Sequence, residues 1–504
     1  MALLKMEGIT KVFPGVIAND HIDFELFEGQ VHALVGENGA GKTTLMKILY
    51  GLYKPDEGSI SIRDEKISIK NPKDAISQGI GMVHQHFMLV PPFNAVENIV
   101  LGDEDHTAGY LQMAQPTAKI ESLMKANNLE VNLSVSVEDL PVGVQQRVEI
   151  LKILYRGAEI LVFDEPTAVL TPQEVHELFN TLNQLKEQGK GIIFISHKLD
   201  EVLNIADKIT VIRRGKIIDT LDRKDATKPK IAELMVGKPV LFKVDKPEKK
   251  PGEAVLEVEK VTVENNSGQK ALNRISFSVH EGEIYGIAGV EGNGQSELIN
   301  AIAYEVDKID GDIRLSNENM LKWNVRKRRE KGLGHIPEDR HRFGLFMPYS
   351  LAENMVLGMH HKPPFVDKLQ IIQKENINDH ARELIDEYDI RTPSEQVPAN
   401  TLSGGNQQKV IIAREMSFDP ELLIAAQPTR GVDIGAQEFI YKQLVNARSE
   451  NKAVLLISAD LDEILSLSDR IGVIYKGKIV KEFKSSEVTK EEVGFYMMGD
   501  KAHE

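Results

Sequence analysis

The 504-residue chain contains no cysteine. That removes any disulfide framework, thiolate nucleophile or Cys-based zinc site, and it fits a reducing compartment. Long apolar runs are missing too. The best, such as AVLLIS from Ala453, stop after six residues, whereas crossing a bilayer takes about 20. Work at a membrane would therefore need another chain to do the spanning. The start, MALLKMEGITKVF, carries Lys5 and Glu7 where a secretory leader would be apolar, so it reads as a strand entering a domain. Positive charge is in deficit, with 61 Lys and Arg against 76 Asp and Glu and a net charge of −15. Affinity for nucleic acid comes mainly from cations that neutralise phosphates, so no nucleic-acid partner is expected. A composition that is 41% hydrophobic and 27% charged is that of a globular protein. At about 100–200 residues per domain, the length allows two to four domains.

The chain repeats itself. GENGAGKTTL from Gly36 is answered by GVEGNGQSEL from Gly289, and AVENIVLG from Ala95 by LAENMVLG from Leu351. LPVGVQQRV from Leu140 matches LSGGNQQKV from Leu402, EILVFDEPT from Glu159 matches ELLIAAQPT from Glu421, and ISHKLDE from Ile195 matches ISADLDE from Ile457. The offset is 253 for the first pair and 262 for the last three. Near-constant offsets on both sides of a small insertion mean a duplicated domain. The Lys- and Pro-rich KVDKPEKKPG at 243–252 reads as a solvated linker. The expected organisation is a first domain at 1–240, a linker at 241–253 and a second domain at 254–504. In each copy short apolar runs (HALVG, EILVFD, GIIFIS) alternate with helix-like segments, the pattern of a mostly parallel α/β sheet. The less strand-like stretch 85–140 reads as an inserted helical subdomain.

Gly36, Glu37, Asn38, Gly39, Ala40, Gly41, Lys42 and Thr43, followed by Thr44, fit GxxxxGK plus Ser or Thr between the strand-like VHALV and an apolar helix. The glycines let backbone N–H groups close on phosphate oxygens, Lys42 neutralises β/γ charge, and the Thr43 hydroxyl can ligate Mg²⁺. Downstream, the apolar ILVF ends in Asp164 and Glu165. A carboxylate at a strand tip can hold Mg²⁺, and its neighbour can orient or deprotonate an attacking water.

Taken together, the P-loop, Gln85 after a strand, LSGGNQQK at 402–409, DEPT from Asp164 and His197 at a strand end resemble the nucleotide-binding domains of ABC transporters, twice over nearly the whole chain. The resemblance implies two tandem P-loop ATPase domains that use ATP and Mg²⁺. By it, Phe13 stacks on adenine, and Gln85 senses Mg²⁺ and water as a metal-site residue with Thr43 and Asp164. Ser403, Gly404 and Gly405 form the signature that caps the γ-phosphate, and His197 contacts that phosphate. Glu165, His197, Lys42 and Gln85 are then the catalytic set.

The second copy has Gln295 for Lys42, Ala426 for Asp164, Gln427 for Glu165, Ala459 for His197, Glu338 for Gln85 and Val263 at the expected place of Phe13. Gly289, Gly292, Gly294 and Ser296 keep a phosphate-sized loop. In the first copy Pro141 and Val142 replace the Ser and Gly of the signature, and Thr171 stands where the second copy keeps Asp433. ABC domains close head to tail, so these losses fall on one composite site. The resemblance thus implies intramolecular pairing in which the Lys42 pocket meets the Ser403 signature, while the Gln295 pocket meets Pro141. It also implies two transmembrane permease subunits, received near the ENxxLG stretches at Glu97 and Asn98 and at Glu353 and Asn354, and a position on the cytoplasmic face of the membrane. Two fused halves with a GNGQ second P-loop resemble bacterial importer subunits for monosaccharides and nucleosides. AAQPTRG from Ala425 and GMVHQHFMLVPPF from Gly81 are more similar to the purine-nucleoside branch, which pairs with a lipoprotein receptor and two different permeases. The alternatives are a ribose- or galactose-type importer and, in a different class, a soluble tandem ATPase acting on ribosomes. The latter usually keeps two competent sites and a long basic linker, and the patch Arg326, Lys327, Arg328, Arg329 and Lys331 reads as a solvated helix face.

Overall fold

The computed structural model describes residues 2–84, 87–104, 106–107, 110–167, 170, 172–196, 198–239, 246–264, 268–290, 292–306, 308–497 and 499. The chain divides into two compact units, Met1–Val240 and Leu241–Glu504. Both follow one plan. In the first, a six-stranded sheet runs in the order Lys216–Asp222, Lys208–Arg213, Val31–Val35, Gly191–Ile195, Ile160–Asp164, Ile80–Val83. All neighbours are parallel except the edge strand Lys216–Asp222. VHALV, ILVFD and GIIFI are buried along their whole length, as parallel strands covered on both faces must be. The second unit repeats the order with Lys478–Lys484, Arg470–Tyr475, Ile284–Ala288, Ala453–Ser458, Leu422–Ala426 and Leu333–Ile336.

Each unit adds a four-stranded antiparallel sheet that the apolar runs did not announce. It comprises Val16–Phe27, Ala2–Phe13, Glu57–Ile62 and Glu65–Ile67 in one and Lys270–His280, Ala254–Glu264, Ile309–Leu315 and Glu318–Asn319 in the other. These strands mix buried and exposed positions, as one-faced antiparallel strands do. Between Ile80–Val83 and its sheet neighbour Ile160–Asp164 the chain leaves the sheet for the helices Ala95–Val100, Ala114–Asn127 and Val142–Tyr155. Leu351–Met355, Lys374–Glu387 and Gly404–Ser417 form the matching insertion of the second unit. The expected helical subdomain is therefore present twice, with a short hairpin, His106–Thr107 against Tyr110–Leu111, added in the first.

Within the expected solvated linker, residues 247, 248 and 250–252 are exposed, while Lys246 and Lys249 are half-buried against the second unit. Lys246 Nζ donates to the carbonyls of Leu467 and Ser468 and pairs with Asp469 at 3.3 Å. Lys249 Nζ donates to Arg448 O (3.0 Å) and Ser449 O (2.8 Å), and Arg448 Nη1 donates to Pro247 O (2.9 Å). Two lysines thus cap the C-terminal ends of the helices Leu461–Leu467 and Ile434–Ser449, where unpaired carbonyls and the helix dipole favour cations. This stretch is part of the second unit. Among the described residues no helix is long and apolar enough to cross a membrane.

Candidate nucleotide site

The first P-loop links the buried strand Val31–Val35 to the helix Lys42–Leu49. Its glycines are sterically required. A Cβ on Gly36 would come within 2.2 Å of Ile212 O, and one on Gly41, which sits at φ 108°, within 2.2 Å of Ala18 O. Lys42 is buried and donates Nζ to Gly36 O (2.7 Å) and Glu37 O (3.0 Å), so its ammonium lies inside the loop. Next to it in sequence is Thr43, whose side chain favours the charged form of Asp164 at the buried tip of Ile160–Asp164. Burial pushes the Asp164 carboxyl up, the Glu165 charge adds to this, and Lys42 opposes it. Glu165 follows with φ 48°, its N–H held by Ile195 O at 3.0 Å. A non-glycine residue in the left-handed region at a strand tip is a mark of a constrained functional turn.

Thr43 and Asp164 fit a Mg²⁺ ion. Both are hard oxygen donors, and this ion usually takes only one or two protein ligands beside water and phosphate oxygens. Gln85 and His197 lie outside the described residues. Phe13, half-buried at the end of its hairpin, makes an edge contact with Tyr53 (5.5 Å between centroids), and Lys11 Nζ lies 5.6 Å from its ring. Tyr53 went unnoticed in the sequence, where it stands outside any motif.

The second unit keeps the backbone and loses the chemistry. Gly292 and Gly294 sit at φ 89° and 110°, against 79° and 108° for Gly39 and Gly41. Gln295 takes the lysine's place with a neutral amide: Nε2 donates to Val290 O (2.9 Å) and Oε1 accepts from Asn293 N (3.1 Å). The exposed Ser296 follows it. Ala426 is buried, and Gln427 reproduces the Glu165 turn at φ 45° with its N–H on Ile457 O. Its Oε1 accepts from Ala459 N (3.4 Å), and Glu338 is paired with Arg430 at 2.6 Å. One alignment is corrected. Matching bulges pair Met6 with Phe24 and Ile9 with Ile22 in one unit, and Val258 with Phe277 and Val261 with Ile275 in the other. The place of Phe13 therefore falls at residue 265, outside the described residues, and Val263 is a core residue.

The two signatures differ at their helix starts. Ser403 is exposed and precedes Gly404–Ser417, with Asn406 Nδ2 donating to its Oγ at 3.0 Å. A Cβ on Gly405 would come within 2.9 Å of Ala436 Cβ. Pro141 occupies the same cap before Val142–Tyr155 and supplies neither hydroxyl nor N–H.

A cluster that motif reading missed braces the first site. Thr167 and Ser196 donate to Glu201 Oε2 at 2.6 and 3.2 Å, and Lys198 pairs with Glu201 Oε1 at 3.1 Å. It ties the strand tip that carries Glu165 to the start of Leu199–Ile205. The signal was there in the LDE shared by both copies. In the second unit Asp460 replaces Lys198, and the buried Glu463 accepts from Thr429 at 2.9 Å while its Oε2 has no hydrogen-bond partner. Burial pushes its carboxyl up to about 7.

The ABC transporter family matches the chain twice, at residues 19–168 and 272–430. The nucleoside import ATP-binding protein NupA of Lactococcus lactis is 48% identical over 100% of this chain and 99% of its own length. The guanosine import ATP-binding protein NupO of Bacillus subtilis is 47% identical over 99% and 97%, and the ribose import ATP-binding protein RbsA of Clostridium tetani 36% over 98% and 97%. Among solved structures, an archaeal ribosome recycling factor in complex with a stalk protein shares the fold at TM-score 0.59 and 20% identity, over 92% of this chain and 87% of that one.

Proposed function

Because this chain belongs to the ABC transporter family, we propose that it is the ATP-hydrolysing subunit of a nucleoside importer with one working site. The observation that carries this reading is the pattern of loss. Phosphate and water chemistry is gone from the second unit's pocket, where Gln295, Ala426, Gln427 and Ala459 stand, and the signature is gone from the first unit, where Pro141 stands. Under reciprocal pairing of the two units within one polypeptide, both losses strike one site and spare the other. The spared site consists of the first unit's P-loop with Ser403, Gly404 and Gly405.

In that site the P-loop N–H groups and Lys42 bind and orient the phosphates, and Phe13 supports the base. Glu165 accepts the proton of the attacking water, and Gln85 and His197 hold water and γ-phosphate. Charge on the phosphoryl in flight is spread over Lys42 and the N–H groups at the Ser403 helix start. Bound Mg²⁺ would neutralise phosphate charge from Thr43, Asp164 and Gln85. The emptied second site retains a loop that can hold a nucleotide without turning it over.

The nucleoside substrate is supported by the 48% and 47% identity to relatives named for nucleoside and guanosine import, against 41% and 36% for relatives named for glucose and ribose import. Two permease subunits, a heterodimer fed by a substrate-binding lipoprotein, complete the importer, with this chain peripheral on the cytoplasmic face. Steady-state ATPase assays test the site. Glu165→Gln and Ser403→Ala are expected to lose about 10²-fold or more and Gln295→Ala little, and equal losses in all three would overturn the reading. Uptake of labelled nucleosides and sugars by cells with and without the chain tests the substrate, and loss of sugar uptake alone overturns it.

A further inference from the structure

The second unit carries three residues that the first lacks. From strand start to the shared buried asparagine there are 19 residues in the first unit, Ile80 to Asn98, and 22 in the second, Leu333 to Asn354. The excess falls in Arg340–Gly344, which winds as a π-helical turn. Such turns give up regular hydrogen bonding and concentrate at functional sites. Asp339 opens this one by accepting from the backbone N–H groups of His341 (2.9 Å) and Arg342 (3.1 Å).

The turn faces two ways. Inward, Arg340 donates Nη1 to Arg430 O (2.7 Å) and Nη2 to Gly431 O (3.4 Å), and a Cβ on Gly404 would meet Nη2 at 2.8 Å. The guanidinium is thus wedged against the first residue of the signature helix. One turn along that helix, Gln407 Oε1 lies 3.1 Å from His341 Nε2. Outward, Arg342 and Phe343 line a surface groove with Phe346 and Leu357, and Phe343, Phe346 and Tyr349 are 56%, 58% and 49% exposed. The stretch of the first unit from Gln85 to Phe93 has no arginine at all.

We propose that Arg340, held by the Arg340–Gly344 turn, is a positioning residue for hydrolysis. Wedged between the Arg430 and Gly431 carbonyls and Gly404, its guanidinium sets the orientation in which the Ser403–Gly404 helix start meets phosphate. This rests on the reading that Ser403 completes the working site. Two physical points support it. Arg340 Nε is buried without a hydrogen-bond partner, so two backbone carbonyls hold the group and a shift of the turn moves it. A cation beside the positive end of a helix is unfavourable until an anion joins it, which favours bringing phosphate to Ser403.

The test is steady-state ATPase of the full chain at varied ATP. Arg340→Met is expected to lower kcat about 10–100-fold, the range for small misplacement of a positioned group, with KM for ATP within about twofold because the first P-loop holds the nucleotide. Arg340→Lys, which reaches one of the two carbonyls, is expected to recover part of the loss. Wild-type kcat in Arg340→Met, or a loss carried by KM, overturns the proposal. Ser403→Ala separates the two levels: if it is slow while Arg340→Met is normal, only this inference fails, and if both are normal, the composite-site reading fails as well. Should Arg340→Met not fold, His341→Ala removes the Gln407 contact alone, and an unchanged kcat there overturns the proposal.

Discussion

Lys42 and Gln295 occupy equivalent positions and answer the same need for a donor that closes the loop on itself. Only the lysine brings a charge. Its ammonium is already held by Gly36 O and Glu37 O, so it is placed before phosphate arrives and the reorganisation that would otherwise accompany binding is reduced. Lys42→Gln, which copies the second unit, should keep the fold and lose ATPase by about 10²-fold or more; an intact far-UV spectrum beside retained activity would contradict this. Glu463 gives a second expectation with a definite sign. Its carboxyl lies at about 7 in the folded protein against an ordinary 4.5, so between those values the folded state holds a proton that the unfolded chain releases. The contribution to stability is full below about pH 4.5 and is lost as pH rises through about 7. Glu463→Gln should therefore raise the second unit's thermal midpoint at pH 8 and hardly change it near pH 4.5. The gain is about 2–4 °C for each ~1 kcal/mol recovered, as read by calorimetry at the two pH values.

Asn98 and Asn354 show what the repeated ENxxLG stretch does at the level of elements. Each is buried, donates Nδ2 to three carbonyls (Val90, Phe93 and Asn94; Phe346, Tyr349 and Ser350) and accepts one backbone N–H. One side chain knots the loop into a helix start that Asn94 with Glu97, or Ser350 with Glu353, closes as a capping box. Asn354→Ala should cost about 2–4 kcal/mol, since it strands several buried polar groups, and should speed amide exchange at Phe346 and Tyr349; unchanged exchange would show that the knot is dispensable. The sequence made these stretches visible as repeats, but their job depends on carbonyls brought back by the turn, which no residue pattern spells out. The central parallel strands were legible because VHALV, ILVFD and GIIFI are apolar throughout. Ala2–Phe13 was legible as a strand, yet its antiparallel partners and the bulge at Gly8 were not, because charges such as the half-buried Lys5 and the exposed Glu7 interrupt the pattern. Lys246 and Lys249 misled for a related reason: lysine reads as solvated unless the helix ends it caps are in view.

For the whole molecule, the P-loops and DEPT made the site legible as motifs, whereas the Glu201 brace and the Arg340 turn are assembled from residues with no motif of their own. In the proposed assignment, the second site lacks several groups that act together. Gln427→Glu would restore a carboxylate at the strand tip, yet the buried Ala426 offers nothing to a metal, Gln295 brings no charge, and the Glu338–Arg430 pair persists. Groups that act as a unit in catalysis are strongly non-additive, so single reversions should leave the ATPase rate within about twofold of wild type. The same logic fixes a stoichiometry. With saturating ATP in a rapid-quench burst, phosphate formed in the first turnover should correspond to one equivalent per chain, and Glu165→Gln should abolish it. A burst of two equivalents, or one equivalent that survives Glu165→Gln and disappears in Gln295→Ala, would place hydrolysis in the second unit and reverse the assignment of the two halves.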